Sequence, residues 1–304
     1  KTAYRIEAWF RENNIPFQRQ DNNVWATNQQ FNPELPTLLL NSHHDTVKPN
    51  QAYTRDPFSP DIIDGKLYGL GSNDAGGAVV ALIALYTHYY AHPKPKYNLL
   101  MAATAEEEIA GKKSLRGLLK ELPKIDFAIV GEPTLMDLAI AEKGLVVFEA
   151  IIKGTPSHAA HPNADNPLMK IPAVIQALES IAFDKVSPVL GPVKVTLTQI
   201  EAGSQHNVVP SEVKLVIDVR VNECYTNNEI EQHLKNALPC EVHARSLRLK
   251  SSSIDANHPL VKAGIALGKK TYGSPTLSDQ AALDCPSLKL GPGDSTRSHS
   301  ADEY

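Results

Sequence analysis

Apolar and polar positions along the chain follow two different rhythms. Residues 4–12 (YRIEAWFRE) repeat their apolar positions at helical spacing. Short apolar runs and helical patterns then take turns. PTLLLNS (36–42) reads as a buried strand, and GGAVVALIALYTHYYA (76–91) as a helix behind a glycine-rich turn. YNLLMAATA (97–105) predicts a strand, SLRGLLKEL (114–122) a helix and FAIVGEP (127–133) another strand. Such alternation calls for a largely parallel sheet with both faces covered.

The texture changes after about Gly144. GLVVFEAIIKG is a longer run rich in β-branched residues, followed by a predicted helix, PLMKIPAVIQALESIA (167–182). VKVTLTQIEAG (193–203) and EVKLVIDVRV (212–221) alternate as strands do, and NNEIEQHLKNAL (227–238) reads as a helix. This strand-rich block with two helices is an α+β insert. From HPLVKAGIALGKKTYG (258–273) the helix-then-strand pattern returns. The expected architecture is α/β: a discontinuous first domain of residues 1–145 and 255–304, with a second domain at 146–254.

Length agrees with two domains, because 304 residues exceed what one hydrophobic core usually holds. The net charge of −4 argues against nucleic acid or an anionic membrane as the main partner. No stretch reaches the apolar length of a membrane span. The opening KTAYRIEAWFRENN is charged and amphipathic, unlike a signal peptide. Cys224, Cys240 and Cys285 are odd in number and far apart, which predicts reduced thiols and a cytoplasmic location. Lys1 falls within a helical pattern and Tyr304 follows a polar motif without a closing element, so both ends are expected to continue.

Polar clusters stand at the predicted carboxyl ends of strands, where open parallel sheets collect ligands. His43, His44 and Asp45 follow the first strand, and Asp74 sits in GLGSNDAGG before the helix at 76. Glu106, Glu107 and Glu108 follow the strand at 97, and Glu132 the one ending at Val130. His299 lies in GPGDSTRSHSADE. If the chain is still extended at 43–45, His43 and Asp45 share a face and His44 points away. A metal-bound imidazole usually donates its other N–H to a carboxylate, so His43 backed by Asp45 fits a ligand and His44 a packing role. Two histidines with several carboxylates and no cysteine suit zinc, cobalt or manganese in a hydrolytic site. Asp74, in its glycine turn, is the candidate to bridge two ions. Taken singly each cluster has a plain reading: a chance HxD, a helix start for the glutamates, turns for the rest. GLGSNDAGG also lacks the lysine and Ser/Thr of a phosphate-binding P-loop. Five clusters at successive strand ends of one chain favour a single site.

SHHDTV, YGLGSNDAGG, TAEEEIAG, VGEPT and GPGDSTRSHSADE, in that order, resemble the motifs of the dinuclear-zinc amidohydrolase and peptidase family. That family includes acetylornithine deacetylase, succinyl-diaminopimelate desuccinylase, aminoacylase and glutamate carboxypeptidase. AIAEKG, TLSDQ and TRSHSADEY resemble its acetylornithine deacetylase-like members most. The resemblance implies two divalent ions, zinc first, with cobalt or manganese as alternatives. One ion is expected on His43, Asp74 and Glu132, the other on Asp74, Glu108 and His299. Asp45 would orient His43, and Glu107 would be the general acid/base, a choice among the three glutamates that rests on the family's order alone.

The insert at 146–254 resembles the family's lid and dimerisation domain, which implies a homodimer. KGTPSHAAHP resembles the segment that supplies an active-site histidine, here His158, with His161 as the competitor. GSQHNVVP implies a substrate contact at Asn207. Arg220 ends a strand and offers a planar fork for a substrate carboxylate; an ion pair with Asp218 is the alternative. The family also continues past its final histidine into a closing helix. The implied activity is metal-dependent hydrolysis of the amide bond of a small N-acyl amino acid. N-acetylornithine in arginine biosynthesis is the first expectation, with N-acetyl- or N-succinyl-ornithine or -citrulline close to it. Dipeptidase, aminopeptidase or succinyl-diaminopimelate desuccinylase activity is the alternative, and a non-enzymatic metal-stabilised binding protein the third reading.

Overall fold

Strand Thr37–His43 is buried along its whole length, so both faces of the sheet around it must be covered. A computed structural model of the chain, describing residues 2–304, shows how; the expectation for Lys1 lies outside the described residues. Thr37–His43 runs parallel to Asn98–Thr104 on one side and Phe127–Val130 on the other, with His43 level with Thr104 and Asn41 with Val130. Ser287–Lys289 pairs parallel to Phe127–Val130. Antiparallel strands flank this centre: Asn23–Thr27 and Gln18–Gln20 at one side, Leu138–Glu142 at the other. The fold is therefore α/β around a central, mostly parallel sheet.

Alternate residues of a strand point to opposite faces, and here each face feeds its own core. Leu38 and Leu40 cluster with Met101, Ala103, Ile129 and Leu288, together with Ile6 and Phe10 of helix Thr2–Glu12 and Leu82, Ile83 and Tyr86 of helix Gly77–Tyr89. Leu39 clusters with Leu100, Ala102, Ala128, Val130, Leu115 and Leu118. Each fully buried leucine contributes on the order of 1.5–3 kcal/mol relative to exposure.

Two helices are shorter than their patterns suggest. Of SLRGLLKEL only Leu115–Leu118 is helical; Gly117 inside the run costs roughly 1 kcal/mol against alanine. The pattern at 167–182 opens as a 3-10 turn, Pro167–Lys170, before helix Ile171–Glu179. A proline lies in the first turn of each, where its missing N–H costs nothing.

The chain forms two units. The first runs to Ile140 and resumes at Ser253–Tyr272 and Ser278–Tyr304; the second is Ala141–Ser252 with Gly273–Leu277. The second unit thus opens earlier than the expected 146–254 and takes in a later pentapeptide, which the Lys143 N–H bonds through the Ser274 carbonyl (3.1 Å). Its sheet is wholly antiparallel, in the order Lys194–Ala202, Glu212–Val221, Gly144–Lys153, Glu241–Ala244. Val146, Phe148, Ala150 and Ile152 alternate inward and pack with Leu215, Ile217 and Val219, and with Val174, Ile230 and Leu234 from helices Ile171–Glu179 and Asn227–Ala237. A capping box starts the second of these helices, Thr226 and Glu229 satisfying each other's backbone N–H. No helix among the described residues is long and apolar enough to cross a membrane.

Candidate metal centre

Parallel pairing in register brings the carboxyl ends of the first unit's strands level, and the polar clusters with them. His43 is the last residue of its strand and only 2 % exposed. Its Nδ1 lies 3.1 Å from the Asp45 carbonyl and 3.5 Å from Asp45 Oδ1. A carbonyl oxygen only accepts, so Nδ1 carries the proton and donates. Nε2 is left facing Asp74 Oδ1 at 3.1 Å and Glu132 Oε1 at 3.9 Å. Burial disfavours the imidazolium, but Asp45, Asp74 and Glu132 outweigh it and hold the His43 pKa well above its ordinary value. His44 points the other way: Nε2 donates to the Asn22 carbonyl (2.9 Å), so Nδ1 accepts from Thr2 Oγ1 (2.8 Å). The neighbouring histidines thus divide as the alternation predicts, one into the cluster and one into a structural contact.

Asp74 sits in an irregular turn, Ser72–Gly76, ahead of helix Gly77–Tyr89. Gly71 has φ +75°, a left-handed conformation that strains other residues, and a Cβ on Gly76 would lie 2.3 Å from the Gly71 carbonyl oxygen. The turn delivers the Asp74 carboxylate between two imidazoles. Oδ1 faces His43, and Oδ2 lies 3.8 Å from His299 Nε2. Burial raises the Asp74 carboxyl, and the hydrogen bond and charge of His43, together with Ser298 and His299, more than offset this, leaving it below the ordinary value.

The three glutamates separate by role. Glu106 has φ +61°, and its carboxylate accepts the Lys113 N–H (3.0 Å), so it braces its own loop. Glu108 Oε2 meets His299 Nε2 at 3.0 Å. The backbone N–H groups of Glu107 and Glu108 both donate to the Asp45 carboxylate at 3.3 Å, one to each oxygen. Asp45 therefore touches the backbone of the glutamate pair as well as the His43 ring. Burial, reinforced by the charge of Glu132, holds the Glu107 carboxyl well above the usual range. Burial likewise pushes the Glu132 carboxyl up to about 8 and raises Glu108. The triplet is a turn rather than a helix start.

Three other predicted residues lie in the second unit. His158 and Val208 pair across a two-stranded ladder, and the Ala159 N–H bonds to the Asn207 carbonyl (2.9 Å), which brings His158 and Asn207 together. The His158 and His161 rings stand edge to face, 5.8 Å apart. Arg220 Nε and Nη2 grip Asp218 at 2.8 and 3.2 Å, the ion pair weighed as the alternative to a substrate carboxylate.

Two residues of the first unit's centre escape the sequence reading. Asp279 is buried, accepts from Thr104 Oγ1 (2.8 Å), and lies close enough to raise Glu107 and Glu132. Burial pushes its own carboxyl up to about 6. Glu303, 2 % exposed, accepts backbone N–H groups of the Asp74 turn. In the sequence both stand in segments that carry the resemblance, TLSDQ and TRSHSADEY, but residue type and spacing do not single them out there.

The donor set suits divalent cations. One donor atom each from His43, Asp74 and Glu108 lies within 4.8 Å of the others. The clustered buried carboxyls raise one another's pKa, the signature of a site short of positive charge. Carboxylate oxygens and imidazole nitrogens without thiolates are the ligands of zinc, manganese and related ions.

Fold and donors together define an α/β protein with a carboxylate- and imidazole-lined cation centre at the strand ends of its first unit. The chain belongs to peptidase family M20/M25/M40, whose model matches residues 39–304. A succinyl-diaminopimelate desuccinylase of Helicobacter pylori is 30% identical over 228 residues, covering 71% of this chain and 59% of its own length. The chain thus spans about 59% of that relative. An M20 family metallo-carboxypeptidase from Sulfolobus solfataricus superposes with a TM-score of 0.76 at 16% identity, over 99% of this chain and 89% of the other. A dinuclear metal binding peptidase of the family from Bacillus subtilis gives a TM-score of 0.66 at 17% identity, over 95% and 81%.

Proposed function

We propose that the protein hydrolyses the amide bond of N-acyl amino acids with the help of two divalent ions. The observation that carries this reading is Asp74, whose two oxygens face two different imidazoles. On this reading His43, Asp74 and Glu132 would hold one ion, and Asp74, Glu108 and His299 the other. The Bacillus subtilis neighbour, a dinuclear metal binding peptidase by name, supports the count of two. When bound, such ions lower the pKa of water and act as Lewis acids toward a carbonyl.

The protein's own groups supply the rest. Glu107, held above the usual carboxyl range by burial and placed through its backbone by Asp45, accepts the proton of the attacking water. It then delivers that proton to the amine nitrogen as the C–N bond breaks. The products are a carboxylate and a free amino acid. His158 and Asn207 are kept as the proposed substrate contacts, supported by their closeness where the Ala159 N–H bonds to the Asn207 carbonyl beside the His158–Val208 pair. Arg220 is left out because Asp218 already occupies its fork.

The substrate class shifts with the relatives. Wording within the chain points to N-acetylornithine, whereas the desuccinylase match favours an N-succinyl diamino acid, so N-succinyl-diaminopimelate becomes the first substrate to test. A homodimer also belongs to this reading. The outer strand of the second sheet, Lys194–Ala202, is exposed over much of its length and includes Ile200, as an edge open to a second copy requires.

Amine release is the test, on protein loaded with zinc or cobalt and on chelator-treated protein. The panel is N-succinyl-diaminopimelate, N-acetylornithine, N-succinylornithine, N-acetylcitrulline and dipeptides. Metal-dependent turnover of an acyl amino acid is expected. Turnover of dipeptides alone moves the reading to a peptidase, and metal uptake without hydrolysis of any member overturns it. Light scattering of the purified protein checks the dimer.

A further inference from the structure

The mechanism above gives no role to Glu303, a buried acidic group. Glu303 stands four residues beyond His299. The segment around it returns across the loops that precede helix Gly77–Tyr89. Asn50 Nδ2 donates to the His299 carbonyl (3.1 Å), the Asp302 carboxylate accepts the Thr54 and Arg55 N–H groups (3.0 Å each), and the Glu303 carbonyl accepts the Gly69 N–H (3.0 Å). The Glu303 side chain then enters the Asp74 turn. Its Oε1 accepts the N–H groups of Asn73 (3.1 Å) and Asp74 (2.8 Å), and its Oε2 accepts that of Gly71 (3.1 Å).

This arrangement meets a need of the turn. Asp74 and Ala75 have non-helical dihedrals, φ −117°, ψ 100° and φ −116°, ψ 38°, so regular helical hydrogen bonding does not serve their neighbourhood. Successive backbone N–H groups that converge in such a bend form a concavity for an anion. Here the chain supplies its own anion, through charge-assisted bonds that are roughly twice as strong as neutral ones. One of them lands on Asp74's own nitrogen, so it bears on the φ of that residue and on where its carboxylate points. On the far side of the turn, Asn73 Oδ1 accepts the Asp294 N–H (2.8 Å) and its Nδ2 donates to the Asp294 carbonyl (3.1 Å).

We propose that Glu303 is the positioning residue for Asp74, holding the turn in the conformation that aims one carboxylate oxygen at each histidine. The inference rests on the reading of Asp74 as a bridging metal ligand. It assigns to one short segment both a ligand, His299, and the brace of a second ligand more than two hundred residues away.

The test uses chelator-stripped protein titrated with zinc against a chromophoric competitor, and with cobalt(II) followed by its visible spectrum. Glu303→Gln, Glu303→Ala and Asp302→Asn are compared with the parent, each melted in chelator to record its metal-free stability. Glu303→Gln keeps one oxygen for Asn73 and Asp74 but sets an amide N–H against that of Gly71. Zinc affinity is expected to fall about 10- to 100-fold in Glu303→Ala, as for other residues that orient ligands. Glu303→Gln should fall between it and the parent, and both should show an altered cobalt spectrum. Asp302→Asn alters the same segment away from the turn and should bind metal as the parent does. Parental affinity and spectrum in Glu303→Gln overturn the inference, even if Glu303→Ala does not fold. So does an equal loss in Asp302→Asn, which would mark the segment as merely structural. A parent that takes up neither metal overturns the metal-centre reading and this inference with it; a parent that binds while every variant binds equally overturns this inference alone.

Discussion

Replacing Asp279 by asparagine should make the metal-free protein more stable at neutral pH, by an amount that depends on pH in a defined way. Asp279 is buried, with a hydroxyl from Thr104 and the charges of His43 and Asp45 around it. Burial carries its carboxyl from 3.8 to about 6. Between those values the folded chain holds a proton that the unfolded chain has released. The contribution of Asp279 to stability is therefore fully present below 3.8 and is lost as pH rises through about 6. At about 1.4 kcal/mol per pH unit, the whole loss is about 3 kcal/mol, of which about 2 kcal/mol falls between about pH 4.5 and about pH 7. Asparagine keeps the size and one acceptor for Thr104 but does not titrate. The stability of Asp279→Asn relative to the parent should climb by about 2 kcal/mol over that range, with a smaller further rise above it because the Asp279 charge also raises Glu132, whose carboxyl lies at about 8. Urea titrations in chelator, followed by tryptophan fluorescence, measure this well, because both tryptophans, Trp9 and Trp25, lie in the first unit with Asp279. A difference that stays flat with pH, or that falls toward neutrality, refutes the reasoning.

Other substitutions probe the remaining steps. Glu107→Gln should keep its metal content while kcat drops about 10²- to 10⁴-fold; turnover within about tenfold of the parent removes Glu107 as the acid/base. Gly76→Ala places a Cβ 2.3 Å from the Gly71 carbonyl oxygen and should displace the Asp74 turn. Lower zinc stoichiometry and a stability loss of about 1–3 kcal/mol are expected, and unchanged zinc content counts against the turn as the source of Asp74's placement. Phe148→Ala empties the centre of the second unit's core, where Phe148 is fully buried, and should cost about 3–5 kcal/mol in a urea titration followed by circular dichroism. A loss below about 1 kcal/mol would show that core to be loosely packed.

Much of this protein is written in local patterns. Period-two alternation placed strand Glu212–Val221 at its observed limits, and the buried runs at 37, 98 and 127 within a few residues. A strand must show its burial in consecutive residues, so periodicity registers it. The same alternation separated His43 from His44, since adjacent residues of extended chain face opposite ways. Helix lengths were less legible: Leu115–Leu118 and Ile171–Glu179 are shorter than their apolar patterns, because hydropathy does not report the backbone geometry, such as the 3-10 turn Pro167–Lys170, that sets where an α-helix begins and ends.

Tertiary structure decided what the acidic residues do. Glu106, Glu107 and Glu108 are chemically identical in sequence, yet one braces its loop, one is buried among other carboxyls and one meets His299. Asp279 and Glu303 are set apart from other acidic residues only because folding buries them beside residues far away in the chain. Arg220 could serve a ligand or Asp218, and the strand geometry gave it to Asp218. The physical reason is the same in each case. Hydropathy patterns report how a residue meets water through its near neighbours, whereas the role of a charge is set by the dielectric and partners around it, and these come from chain segments that only the fold brings together.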